Sequence, residues 1–175
     1  MKLQRRTLVM AGVAAAAGGA GALVATRRFQ LQPVMSEAEV AFWAGEFEGP
    51  NGERVRMADF RGQPLLVNFW ATWCPPCVEE LPMLNRFHEV QAAKGWKVLG
   101  LAVDQPSAVR SFLVKLPLNF PVGMAGFAGT ELSRSLGNPS GALPFTVVFG
   151  ADGALLHRKM GKVSDADLAQ WAELA

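Results

Sequence analysis

Cysteine and histidine are scarce: Cys74 and Cys77 are the only cysteines in 175 residues, and His88 and His157 the only histidines. A closed zinc site takes four ligands, and two histidines so far apart in sequence are poor partners for one cysteine pair. Basic charge also runs short once the N-terminus is set aside. Lys2, Arg5, Arg6, Arg27 and Arg28 are five of the 17 Lys and Arg, which leaves 12 against 15 acidic residues and a net charge of about minus 3. The electrostatic footprint of nucleic-acid binding is therefore missing. There is no Gly-rich phosphate loop, no internal repeat and no low-complexity run after Ala25. What remains is half apolar and only 18% charged, so the chain can bury a core, and its length suits one domain with a short appendage.

The appendage is N-terminal. An uncharged run, Leu8 to Ala25, lies between Lys2, Arg5 and Arg6 on one side and Arg27 and Arg28 on the other. Eighteen helical residues at about 1.5 Å each reach roughly 27 Å, close to the hydrocarbon thickness of a bilayer. Residues 1–28 read as an export signal or membrane anchor, with 8–25 as the spanning part, 29–41 as a linker and 42–175 as the folded domain. Gly12, Gly18, Gly19 and Gly21 weaken the run as a helix, and Ala20-Gly21-Ala22 has the A-x-A form of a cleavage site, so export with cleavage is the alternative to a retained anchor. "QRRTLV" resembles a twin-arginine signal, although the positive-inside rule also places arginines there. Either route places the domain in an oxidising, periplasmic compartment.

Along the domain, Phe42 to Glu48 and Arg54 to Met57 read as strands or extended segments around the turn "GPNGE". "PLLVNFWA" is continuously apolar except for Asn68, as a strand covered on both faces would be. From Cys74 the pattern turns helical, with Val78, Leu81, Leu84, Phe87 and Val90 at three-residue steps and Gly95 as the stop. A second buried strand, "WKVLGLAV", precedes a helix at "PSAVRSFLVKL", a short strand near "NFPVG" and a short helix at "ELSRSLG". Two strands, "PFTVVF" and "ALLHRKM", meet at Asp152-Gly153 before a final helix in "SDADLAQWAEL". Alternating strands and helices that end in a hairpin predict an α/β fold with a central mixed sheet flanked by helices.

The cysteines sit in "NFWATWCPPCVEELP", at the junction of the first buried strand and its helix. A disulfide closing so short a loop constrains the unfolded chain little, which weakens a purely structural role. "FWATWCPPC" at such a junction, with "LPFTVV" about seventy residues later and a charged N-terminal apolar run, resembles the thioredoxin superfamily. Within it the chain is similar to the membrane-anchored TlpA/ResA-type thiol:disulfide oxidoreductases, including an inserted strand and helix before Pro144. The resemblance implies a redox-active disulfide between Cys74 and Cys77, Cys74 as attacking thiolate and Cys77 as resolving thiol, and a cis bond before Pro144.

Elementary chemistry assigns the same order. A Cys74 at the helix cap faces unpaired amides and the positive end of the macrodipole, which favours thiolate. Pro75 and Pro76 carry no N–H, so the Cys77 amide is the expected donor to that sulfur, and Pro75, preceding a proline, is expected to delay the helix by a residue. Cys77, further in, is expected to be covered and Cys74 exposed. Glu80 lies three residues beyond Cys77 on the same helix face, whereas Glu79 does not. The family carries a glutamate there, which makes Glu80 the expected proton acceptor, the alternative being a solvated helix acid. Asn68 stands where thioredoxins usually have a buried carboxylate, and as an amide it reads as a hydrogen-bonded core residue. Trp70 reads as core, Trp73 as a surface beside the sulfur, and Asp104 as a helix cap. Trp73, Pro75, Pro76, Leu143 and Pro144 are the expected substrate-binding residues.

These expectations amount to a protein-disulfide reductase with no cofactor beyond its cysteine pair and no metal. Family clients are apocytochrome c before haem attachment and copper-centre assembly proteins. A membrane electron-donor protein is the implied source of electrons, the membrane is contacted through the N-terminal segment, and the domain is expected to be a monomer. The alternative is copper(I) binding or delivery by the same thiolates. A peroxidase is disfavoured because Thr72 precedes Cys74 by two residues rather than three, and a purely structural domain would tolerate loss of either cysteine.

Overall fold

In the computed structural model, which describes residues 35–174, the first element is started by a capping box. The Ser36 hydroxyl accepts the Glu39 amide while the Glu39 carboxylate accepts the Ser36 amide, opening helix α1, Glu37–Ala44. This corrects two boundaries. Phe42 is not the start of a strand, and the end of the expected 29–41 linker is helical, so the compact unit begins at Met35. Apolar Phe42 and Trp43 read as β when taken alone, but the box upstream commits them to a helix and they are buried in the core. The other Glu39 oxygen accepts the Leu155 amide at 2.7 Å. Burial alone would raise this acid, but the bonds from Ser36 and Leu155, with the Arg158 charge, hold it below its ordinary range. The anchor or signal expected over 8–25 and the first part of that linker lie outside the described residues. Among the described residues no helix is long and apolar enough to cross a membrane.

The remaining elements follow in order: β1 Glu46–Glu48, β2 Arg54–Arg56, β3 Leu65–Trp70, α2 Pro75–Gln91, β4 Lys97–Ala102, α3 Pro106–Lys115, β5 Val122–Met124, α4 Ala128–Ser135, β6 Phe145–Phe149, β7 Leu155–Met160 and α5 Asp165–Ala172. They form one mixed sheet in the order β2-β1-β5-β4-β3-β6-β7. Strands β3, β4 and β5 are parallel neighbours, and β6 runs antiparallel between β3 and β7. This is the thioredoxin-like arrangement expected, with β5 and α4 as the inserted pair ahead of the β6 strand.

Strand β3 is buried along its whole length, so its alternation sorts residues between two cores rather than between core and water. Leu66 and Trp70 face one core with Leu81, Leu84 and Phe87 of α2 and Leu168 and Trp171 of α5. Leu65, Val67 and Phe69 face the other, with Phe42 and Trp43 of α1 and Phe145, Val147 and Phe149 of β6. Asn68 shares the period of Leu66 and Trp70, which directs it to the α2 side. In β4, Gly100 pairs with Asn68, and a Cβ there would stand 2.9 Å from Trp70 Nε1 and 3.1 Å from the Phe120 ring. The glycine makes room for the indole that ends β3.

Candidate active site around the Cys74–Cys77 disulfide

Strand β3 hands over to α2 through the turn Ala71–Trp73, closed by a bond from the Cys74 amide to the Ala71 carbonyl. Cys74 is the N-cap of α2, and Pro75 and Pro76 occupy its first two positions, where a missing N–H costs no helical bond. The helix therefore begins at Pro75, without the one-residue delay expected from the Pro-Pro step. Its first backbone bond joins the Val78 amide to the Cys74 carbonyl. Cys77 is the third helical residue, and a disulfide joins it to Cys74, with the Cα atoms 5.3 Å apart.

Cys77 is fully covered and Cys74 is 4% exposed, so the order of burial matches expectation but the sulfur expected to be exposed is not open. In the disulfide both sulfurs belong to the same apolar cluster as Trp70, Ala71 and Leu81. The Cys74 side chain accepts no capping hydrogen bond, so the anticipated bond from the Cys77 amide is not formed while the sulfur is bonded to its partner. Trp73 is 66% exposed and Trp70 is buried, as read from the sequence. Pro75 and Pro76 are exposed, Leu143 is half-buried against the cluster that holds both cysteines, and Pro144 is buried, preceded by a cis bond. The loop before Leu143 is shaped by Asn138, whose amide donates to the Ala142 carbonyl at 2.9 Å.

Glu80 is not the solvated acid of the alternative reading. It is fully buried, one oxygen accepting from Asn68 Nδ2 and the other from the Val163 amide, each at 2.7 Å. Burial pushes its carboxyl up to about 6, against the opposing pull of the Val163 amide, the Asn68 amide and the Lys162 charge. Asn68 is the core amide anticipated: its Nδ2 also donates to Thr146 Oγ1 at 3.0 Å, and its Oδ1 has no hydrogen-bond partner among the described residues. The carboxylate thus joins α2 to β3 and, through Val163, to the segment after β7, where the Gly161 amide holds the Pro144 carbonyl. Glu79, one residue away, is at the surface and pairs with Lys162.

Asp104 departs from its expected role. It precedes Gln105, the residue that occupies the N-cap of α3, and turns instead toward the cysteine side. Its Oδ2 accepts both the amide and the hydroxyl of Thr72, at 2.8 and 2.6 Å. The strand-end position was legible in the sequence, but a partner 32 residues away was not.

Comparison with known proteins gives a consistent outcome. The Redoxin family model matches residues 38–172. The chain is 29% identical over 121 residues to the thiol-disulfide oxidoreductase ResA of Bacillus thuringiensis subsp. konkukian, covering 69% of this chain and 68% of that one. A ResA of Bacillus subtilis is 33% identical over 76 residues, 43% of this chain and 42% of that one. Among solved structures, a thioredoxin family thiol:disulfide interchange protein from Chlorobium tepidum superposes with a TM-score of 0.65 at 29% identity, over 75% of this chain and 92% of that one. A secreted Mycobacterium tuberculosis disulfide oxidoreductase, at 21% identity and a TM-score of 0.63 over 79% of this chain and 98% of that one, shares the fold.

Proposed function

The chain belongs to the Redoxin family, as a thioredoxin-superfamily protein of the ResA/TlpA type, and from that premise we propose that it is a thiol-disulfide oxidoreductase that reduces selected protein disulfides in the periplasm. The observation that carries this reading is the pairing of the only two cysteines at the start of α2 with a buried acid one turn further on. In the reduced protein, the Cys74 thiolate attacks one sulfur of a client disulfide, forming a mixed disulfide and expelling a client thiolate. Cys77 then loses its proton to Glu80 and attacks the Cys74 sulfur, expelling the second client thiolate. The client gains two electrons, its two thiolates take up one proton from Glu80 and one from solvent, and the protein is left with the Cys74–Cys77 disulfide. Trp73, Pro75, Pro76 and the half-buried Leu143 form the surface on which the client segment rests during attack, with the buried Pro144 shaping the backbone beneath it.

Each turnover consumes the dithiol, so a membrane electron-donor protein must reduce the pair again. Residues 8–25 serve as the anchor that keeps the domain beside that donor. Membrane fractionation is expected to retain the full-length chain, and a soluble periplasmic product beginning near Leu23 would replace the anchor with a cleaved signal. Apocytochrome c and copper-centre assembly proteins are the client classes proposed.

The order of attack provides the decisive test. Cys77→Ser leaves a nucleophile that cannot complete exchange, so mixed disulfides with clients are expected to accumulate on non-reducing gels, while Cys74→Ser traps few. Equal trapping by the two variants would overturn the assignment of roles. No trapping by either, together with tight copper(I) binding by the reduced pair, would make the protein a copper carrier.

A further inference from the structure

The carboxylate of Asp104 is tied to the turn that delivers Cys74. Its Oδ2 takes both donors of Thr72, and its Oδ1 takes the Gln105 amide at 2.7 Å, so one side chain spans the turn, the end of β4 and the start of α3. The sheet does not need this link for its register, because Trp70 already pairs with Ala102 and its carbonyl accepts the Val103 amide. A neutral residue with a side-chain oxygen could accept from Thr72 as well. What a carboxylate adds is charge. The turn closed between Cys74 and Ala71 keeps Thr72 close to Cys74, which places that charge on the order of 10 Å from the Cys74 sulfur. The positive end of α2 favours a Cys74 thiolate, and a nearby carboxylate disfavours it.

We propose that Asp104 is a positioning residue of the redox pair, one that lashes the Ala71–Trp73 turn in place and, by its charge, offsets the helix's stabilisation of the Cys74 thiolate. The inference deepens the oxidoreductase reading and rests on it for its meaning. Reduction adds two electrons and one proton to a neutral disulfide and leaves a thiol at Cys77 and, above the Cys74 midpoint, a thiolate at Cys74. Only the reduced state feels the carboxylate, so Asp104 holds the pair more reducing than the helix start alone would make it. Its effect on client disulfides is to favour electron transfer away from the protein.

The test uses the full-length chain and three measurements: the pH midpoint of Cys74 alkylation by iodoacetamide in the reduced protein, the thiol–disulfide equilibrium constant against glutathione, and the melting temperature. Glu80 behind Cys77 and the Glu79–Lys162 pair are the same in every variant, so differences between variants report Asp104. Asp104→Asn is expected to lower the alkylation midpoint by about half a unit to one unit and to move the equilibrium roughly 3- to 10-fold toward the dithiol, about 15 to 30 mV less reducing. Asp104→Ser, smaller and also neutral, is expected to shift both in the same direction and serves if the amide variant folds poorly. Thr72→Val keeps the charge and loses the hydroxyl bond, so it is expected to lower the melting temperature with less than half the redox shift, and Thr72→Ser is expected to restore wild-type values. A lower melting temperature with midpoint and equilibrium unmoved in both neutral variants would make Asp104 a turn staple only. A shift of opposite sign, or a Thr72→Val shift as large as that of Asp104→Asn, would overturn the charge argument. Since these readouts use the protein's own thiols, they succeed or fail independently of whether Cys77→Ser traps any client.

Discussion

As the proton acceptor proposed for Cys77, Glu80 would have to exchange a proton from a fully buried position. Its raised carboxyl has a stability consequence whose sign is fixed. Between the ordinary value of 4.5 and about 6 the native state binds more protons than the unfolded state, so stability falls as pH rises through that window, by about 2 kcal/mol in all. Urea titrations are expected to show this fall in the wild type and not in Glu80→Gln, and parallel pH profiles would mean that Glu80 titrates at its ordinary value. For exchange the requirement is reversed, since a proton acceptor must be ionised. The rate is therefore expected to rise with a limb near pH 6 that Glu80→Gln removes while slowing the reaction, and an unchanged pH–rate profile would take Glu80 out of the mechanism. That Glu80 shares the Cys77 face was legible from helical spacing, and that Cys77 is the more covered sulfur was legible from its place inside the first turn. The near-complete burial of Cys74 was not, because it depends on how the bonded pair settles among Trp70, Ala71 and Leu81.

At the scale of elements, the junction of β3 with α2 sets the geometry, and its fit depends on a strand that carries no cysteine. Gly100 of β4 leaves space for the indole of Trp70, the last residue before the turn to Cys74. Gly100→Ala puts a methyl group 2.9 Å from Trp70 Nε1 in a core with little room to yield, and is expected to cost about 1 to 3 kcal/mol, read as a lower urea midpoint at unchanged slope. A loss below a few tenths of a kcal/mol would mean that Trp70 moves freely, and that β4 does not constrain the turn. Element types were read well where the period was long or the run fully apolar, as in α2, β3 and β4. They were misread at α1, whose eight residues are too few to establish a period. The signal that could have found it was present in Ser36 and Glu39, spaced as a capping box.

At the scale of the whole molecule, α1 belongs to the fold as firmly as any strand. Phe42 and Trp43 are 1% and 3% exposed, Phe42 stacks on Phe149 of β6, and Trp43 Nε1 donates to the Gly153 carbonyl at 2.8 Å. Losing both aromatic side chains, at about 3 to 5 kcal/mol each, would consume most of the stability of an ordinary domain. A chain beginning at Met35 is expected to melt cooperatively and one beginning at Gly45 not to fold, and a cooperative melt from the shorter chain would show that α1 is dispensable. The sequence alone determined the mixed α/β sheet, the cysteine pair at a strand-to-helix junction, the covered place of Cys77 and the helix face of Glu80. The last three follow from rules that act within one turn or one strand, namely the cap, the period and the missing amides of proline, and the sheet follows from the alternation of strands and helices along the chain. Tertiary structure alone decided that Asn68 and Val163 hold Glu80, that Asp104 turns to Thr72, and that the Cys74 sulfur is closed in. Those partners are 12, 83 and 32 residues apart along the chain, and only the order and register of the strands brings them within a hydrogen bond of one another.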